Sequence, residues 1–335
     1  MSKALTRWLL RGAPLALLAV LACGFGASAP RFLSLQNLGA ILTQSSWLIV
    51  VALGMNFVLL AAGVDLSVGA TMYLVAVMLG MGLHSEPVSV CLIASVLVGA
   101  AFGAINASLI VLLRLPAFIV TLAMTFIGRG LGLFVSSTRI VYASSSVADF
   151  GRAALLGIPM PLWIAGSATA LVWVMLNRTP LGPYVRSIGA DAEGARRAGV
   201  PTTAVTWCVY ALCGALAGLG GFISLSQTSA ASGAFGQNSE FLGIAAAVLG
   251  GTSLFGGRGH VWAPVTGAVL IMTVQNGLVM INANPYAYPV ITGGVILLAA
   301  LLDSVRAQVS TRSLRRKIMV QTPTAQPGGR DAGAV

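Results

Sequence analysis

Charge is what this sequence has least of. Only 8% of its 335 residues are Asp, Glu, Lys or Arg, against roughly 25% in an ordinary soluble domain. That is too little to coat the one or two soluble domains that a chain of this length would form. Acidic residues are scarcest, 8 against 19 basic ones. Histidine occurs 2 times and cysteine 4 times, with no metal-ligand spacing. Cys23, Cys91, Cys208 and Cys213 lie in apolar runs and read as small buried apolar residues. No G-x-x-x-x-G-K-[ST] loop is present: Gly250-Gly251 and Gly256-Gly257-Arg258-Gly259 lack the Lys-Ser/Thr that grips phosphates. Neither H-E-x-x-H nor G-x-S-x-G occurs. ATP hydrolysis by this chain is therefore not expected, nor intramembrane catalysis, nor a bound cofactor or metal.

What is present is apolar: 57% of the residues, with a mean hydropathy of +0.91. A helix crosses the hydrocarbon layer with about 20 mostly apolar residues. Such runs lie near 9–29, 38–62, 66–83, 88–113, 116–135, 160–176, 204–226, 241–255, 262–281 and 287–303. The expected fold is all-α, a polytopic membrane bundle of about ten helices. The eighth run is short enough to be a broken or re-entrant helix. Residues 1–303 would form the membrane domain, and 304–335 a basic, Pro- and Gly-rich cytoplasmic tail without fixed structure. The N-terminal run resembles a secretory signal, but so many further spans make it an uncleaved first helix.

The net charge of +11 is placed for a membrane rather than for nucleic acid. With both termini inside and ten crossings, the N-terminal Lys3, Arg7 and Arg11, then Arg114, Arg178, Arg186, Arg196, Arg197, Arg258 and the basic tail all fall on the cytoplasmic side. Only Arg31, Arg139 and Arg152 fall outside. That asymmetry is the positive-inside pattern.

Gly99 with Gly103, Gly128 with Gly132 and Gly214 with Gly218 recur at the four-residue spacing that lets helix backbones approach in lipid. A faint inverted echo is also readable: Gly103-Ala104 and Gly267-Ala268 would each open a helix, and the two would run in opposite directions. Ion-coupled transporters place ionisable groups at the midplane. Here the clear intraspan charge is Arg129, with Asp65 at a boundary, which argues for energy arriving through a partner. An ion-coupled secondary transporter of a small solute remains the alternative.

The loop 177–203 carries a candidate docking element. Asp191 can cap a helix of about eight residues, with Glu193 in its first turn, Arg196 and Arg197 later, and Gly199 as its stop. Glu193 and Arg197 stand at i,i+4. So short a helix needs a partner surface, and Ala192, Ala195 and Ala198 give it a side that can be approached closely. In the spans, Asp65 is placed to cap a helix beginning at Leu66. Arg129 would line a pathway, pair with a carbonyl or snorkel to the headgroups. Gln44, Asn56, Gln275 and Asn276 should face protein or water rather than lipid.

Four segments then carry a resemblance. Ala62-Gly63-Val64-Asp65-Leu66-Ser67-Val68-Gly69 is similar to the G-G-I-D-L-S-V-G segment of ribose-type ABC importer permeases. Leu115-Pro116-Ala117-Phe118-Ile119-Val120-Thr121-Leu122 with Gly128-Arg129-Gly130 resembles that family's P-x-F-I-x-T-L…R-G stretch. Thr179 to Val200 resembles its A-I-G-x-N…A-A-R-x-x-G-I loop, and Leu249 to Gly259 its L-G-G-T-S-L-x-G-G-R-G run. The resemblance spans residues 38–303.

It implies a permease subunit of a sugar importer in the bacterial inner membrane, paired with a second permease as homodimer or heterodimer. It implies a cytoplasmic ABC ATPase, which binds ATP and Mg and docks on the 177–203 loop, and a periplasmic sugar-binding protein. Alternating access is the implied mechanism. Two departures stand out: Leu242 where the family has Asp in E-L-D-A-I-A-A, and Asp191 near the family's Asn.

Overall fold

The computed structural model describes residues 3–291 (3–13 as backbone) together with Gly293, Gly294, Leu297 and Leu301. Most of the expected span 287–303, and all of the tail 304–335, lie outside the described residues.

The chain opens with α1 (Lys3–Ser28), which carries Pro14 within it, and α2 (Leu35–Leu60), capped by Ser34, whose Oγ accepts the Asn37 N–H at 3.3 Å. It continues through α3 (Val68–Val77), prolonged by a π-helical turn over Met78–Gly82, α4 (Val88–Leu112) and α5 (Ala117–Ser136). An irregular stretch holds β1 (Val141–Tyr142), α6 (Ser145–Arg152), β2 (Ala154–Leu155) and β3 (Ile158–Pro159). Next come α7 (Met160–Arg178), α8 (Leu181–Ala190), α9 (Ala192–Arg197) and α10 (Thr202–Thr228). β4 (Ala230–Ala231), α11 (Ser239–Leu249) and α12 (Trp262–Met280) follow.

Six of these helices, α2, α4, α5, α7, α10 and α12, are long and apolar enough to cross a membrane. This is a polytopic helical membrane protein. The expected count of ten continuous spans is not what the described residues show. The run 66–83 is a 15-residue helix starting only at Val68, and the run 241–255 is the 11-residue α11 followed by a glycine-rich turn. At 1.5 Å per residue, α11 rises about 16 Å, half of a hydrocarbon core about 30 Å thick. It is the short, interrupted element expected of the eighth run.

α2 is the central post: every residue from Leu48 to Leu60 is buried. α10, α11, α12 and α7 pack around it, and among the described residues the most extensive helix pairing is α4 with α10. The glycine spacing explains that pair. Gly99 faces Gly214, Gly103 faces the Tyr210 carbonyl, and Gly218 faces the Ser95 carbonyl, so the two motifs form one antiparallel seam. The third motif has a different partner: Gly128 makes room for Phe102 and Ala70, and Gly132 for the Tyr73 ring.

The inverted echo expected at Gly103 and Gly267 is not found there, because both lie inside α4 and α12 rather than opening helices. Two long helices, α2 and α10, each run into a non-helical break (61–67 and 229–238) followed by a short helix, α3 or α11. α2 and α10 are antiparallel, since Gly54 meets Cys213 while Gly220 meets Val51. The breaks therefore point toward each other from opposite ends.

Candidate coupling surface and translocation pathway

At one end of the bundle, α9 stands out on the 177–203 loop. Asp191 is its N-cap: Oδ1 accepts the Glu193 N–H at 3.1 Å and the Gly194 N–H at 3.0 Å. The helix is six residues rather than eight, because Ala198 already leaves helical geometry. Gly199 adopts φ +84°, and the Val200 N–H reaches back to the Ala195 carbonyl at 3.0 Å, a left-handed stop that glycine makes without steric cost. Glu193 accepts from Arg196 Nε at 3.0 Å and Nη2 at 2.8 Å, and from Arg197 Nε at 3.1 Å. The i,i+4 pair is thus joined by an i,i+3 fork. These hydrogen bonds, Arg196 first, hold the Glu193 carboxyl below its usual range, and Glu193 in turn raises Arg196. Of the three alanines, only Ala195 is buried against its own chain, while Ala192 and Ala198 are exposed. Sequence reasoning missed α8, which runs up to the cap, because its glycines and proline read as loop.

Deep in the bundle, the backbone of the first break is satisfied by side chains, as unwound chain away from water requires. Thr125 donates to the Leu66 carbonyl at 2.7 Å, and Tyr210 to the Val64 carbonyl at 3.4 Å. Asp65 is buried, and its Oδ1 accepts both the Ser67 N–H (2.9 Å) and the Ser67 hydroxyl (2.7 Å), while Asn106 donates to that hydroxyl at 2.8 Å. The following helix begins at Val68 rather than Leu66, so Asp65 tightens the turn before it instead of capping its first turn.

Arg129 serves the second break. Its Nη1 donates to the Gly233 carbonyl at 3.1 Å and the Phe235 carbonyl at 3.2 Å, the carbonyl pairing named among its sequence readings. The breaks meet where Gly69, just inside α3, lies against Gly236 and the Glu240 carboxylate. Glu240 is buried, and its Oε2 has no hydrogen-bond partner among the described residues. Its position in the first turn of α11 was the available signal for it, beside the Leu242 departure.

The remaining pathway candidates are not brought together. Asn56 is buried in α2 and accepts from Thr252 at 2.6 Å, pinning the glycine-rich turn. Gln44 is exposed on α2, and Gln275 is half-buried on α12. Asn276 accepts from Asn37 Nδ2 at 2.9 Å, joining the start of α2 to α12.

Comparison with known proteins places these features in a family. The model described as "Branched-chain amino acid transport system / permease component" matches residues 37–300. The ribose import permease protein of Escherichia coli (strain K12) is 34% identical over 303 residues, covering 89% of this chain and 94% of the relative. The D-allose transport system permease protein of the same strain is 34% identical over 291 residues (86% and 89%). The ribose import permease protein of Bacillus subtilis (strain 168) is 36% identical over 278 residues (82% and 86%). No solved structure matches the chain. With its apolar helices, this makes the chain a multi-pass inner-membrane permease component, a member of the ribose-type permease family of ABC importers.

Proposed function

We propose that this chain forms the translocation pathway of an ATP-driven sugar importer, working by alternating access and coupled to a separate cytoplasmic ABC ATPase through α9. The observation that carries the coupling assignment is α9 itself. A six-residue helix has no independent stability in water, yet this one is capped, stopped by a left-handed glycine and internally ion-paired while projecting two arginines from the bundle. Such a preformed, exposed element fits insertion into a partner's groove. The positive-inside distribution supports a cytoplasmic position for α9 and both termini. A periplasmic binding protein then delivers sugar to the opposite face, and a second permease completes the pathway. ATP and Mg reside in the ATPase.

The relatives' names make ribose, D-allose and galactose the first sugars to try. Uptake of each labelled sugar is measured in cells with and without the gene, and in cells carrying an Arg196→Ala, Arg197→Ala double variant. One sugar should be lost on deletion and not restored by the variant, although the variant reaches the membrane. The buried carboxylates Asp65 and Glu240 favour the secondary-transporter alternative. Uptake driven by an imposed ion gradient, unaffected by ATP depletion, would establish that reading and overturn this one.

A further inference from the structure

Three stretches of backbone, distant in sequence, meet at one point beneath α9. The first is the end of α2, where the Leu60 carbonyl accepts the Gly257 N–H at 3.0 Å. The second is the end of α8: a Cβ on Gly189 would overlap the Leu60 carbonyl and stand 2.6 Å from the Gly257 nitrogen. The third is the glycine-rich turn. Gly256 has φ +83°, and its Cβ position lies 2.6 Å from the Gly189 carbonyl and 2.7 Å from the Ala62 Cβ. Gly257 has φ +69°, with its Cβ position 3.2 Å from the Ala190 Cβ. The contact is made by backbone and by the Cβ atoms of Ala62 and Ala190, with no flexible side chain to yield between the three.

The chain connections give this junction its meaning. Gly189 is separated only by Ala190 from Asp191, the cap of α9. Leu60 leads straight into the first break and α3, and the glycine-rich turn follows directly from α11. The element that faces the ATPase is thus tied, within a few residues each way, to both interrupted helices. Close-packed backbone has two options under displacement, to move together or to separate, because no soft side chain absorbs the strain.

We propose that Gly189, Gly256 and Gly257 form a rigid joint that transmits movement of α9 to α3 and α11, and are positioning residues for transport. This rests on the reading of α9 as the ATPase-docking segment. The joint moves as a unit, so closing a covalent link across it costs no further transport, whereas a wedge inside it uncouples transport from hydrolysis.

The test uses permease, ATPase and binding protein reconstituted in proteoliposomes, with labelled ribose, D-allose and galactose as probes. The readout is sugar accumulated per ATP hydrolysed. An Ala190→Cys, Gly257→Cys pair has a Cβ separation of 3.2 Å, close to the 3.5–4.5 Å or so of a disulfide. The Gly257→Cys half of the pair is itself a wedge at φ +69°, so the reduced pair should already move less sugar per ATP than wild type, and oxidation should lower it no further. Gly189→Ala should retain ATPase binding and basal hydrolysis but lose about tenfold in sugar moved per ATP, the scale of coupling changes along a packed network. Transport that stops on oxidation and returns on reduction would overturn the proposal, because the joint would then have to open in the cycle. So would a pair that never cross-links, or a Gly189→Ala protein that couples normally. Wild-type protein that moves none of the three sugars with ATP would instead bring down the functional reading, and this inference with it.

Discussion

Gly99 and Gly214 occupy each other's side-chain space: a Cβ built on either would overlap the carbonyl oxygen of the other. The α4–α10 seam is closed at this point by two helices in backbone contact, the arrangement that small residues permit in lipid. Replacing either glycine by alanine must push the helices apart. Overpacking of this kind costs about 1–3 kcal/mol. Gly99→Ala and Gly214→Ala should each lower the thermal unfolding midpoint in detergent, while Gly130→Ala on α5, with open space around it, should not. Equal midpoints for all three would show that the seam tolerates separation.

Arg129 is the clamp on the second break. It supplies charged hydrogen bonds to the Gly233 and Phe235 carbonyls, and bonds of that kind contribute about 1.5–3 kcal/mol each where the partner is otherwise left unsatisfied. Its half-buried position puts the pair toward the lower end of that range. Arg129→Ala should loosen residues 231–238, seen as faster amide exchange there, with transport reduced. Arg129→Lys should restore only part, because one ammonium lacks the planar fork of a guanidinium. Unchanged exchange in Arg129→Ala would place the clamp elsewhere.

Glu193 gives α9 a defined pH response. Its two arginine partners hold the carboxyl below the ordinary value of 4.5. A group whose folded pKa is depressed contributes its stabilisation fully above the ordinary value, and that contribution fades as pH falls through the lower folded value. α9 should therefore be indifferent to pH across the neutral range and loosen only in acid, below that ordinary value of 4.5. Because the pair is exposed, the effect should shrink in high salt. Amide exchange of residues 192–200 followed from pH 7 to pH 3 reads it, and Glu193→Gln should remove the acid step. Loosening already at pH 6 would contradict the assignment.

Local rules made α9 legible in the sequence. A capping Asp, a Glu and Arg at helical spacing and a terminal Gly act within a few residues of one another, so their pattern survives without tertiary information. The breaks at 61–67 and 229–238 were legible as gaps between apolar runs, but not as unwound chain packed inside the bundle. Val64 and Leu66 are as apolar as the helices around them, and what unwinds the chain there is a set of distant partners, Thr125, Tyr210, Asn106 and Arg129. The glycine motifs lie between these cases. Four-residue spacing announced close approach, but nothing in one dimension said that Gly99–Gly103 and Gly214–Gly218 meet each other while Gly128–Gly132 takes Phe102 and Tyr73. The glycine-rich run 250–259 was visible as a motif. Its place under α8, against the end of α2, is purely a matter of the fold.

Asp191 separates the cap from the charge at the α9 N-terminus. Its Oδ1 satisfies the Glu193 and Gly194 N–H groups, and losing such a cap costs about 0.5–2 kcal/mol. For a six-residue helix that is decisive, since nucleation of so short a segment is already unfavourable. Asp191→Ala should raise amide exchange at Glu193 and Gly194 and weaken co-purification of the ATPase. Asp191→Asn keeps the capping oxygen and removes the charge, so it should leave both measurements near wild type. If Asn instead behaved like Ala, the carboxylate charge rather than the cap would be what α9 needs, and a direct electrostatic contact between Asp191 and the ATPase would follow.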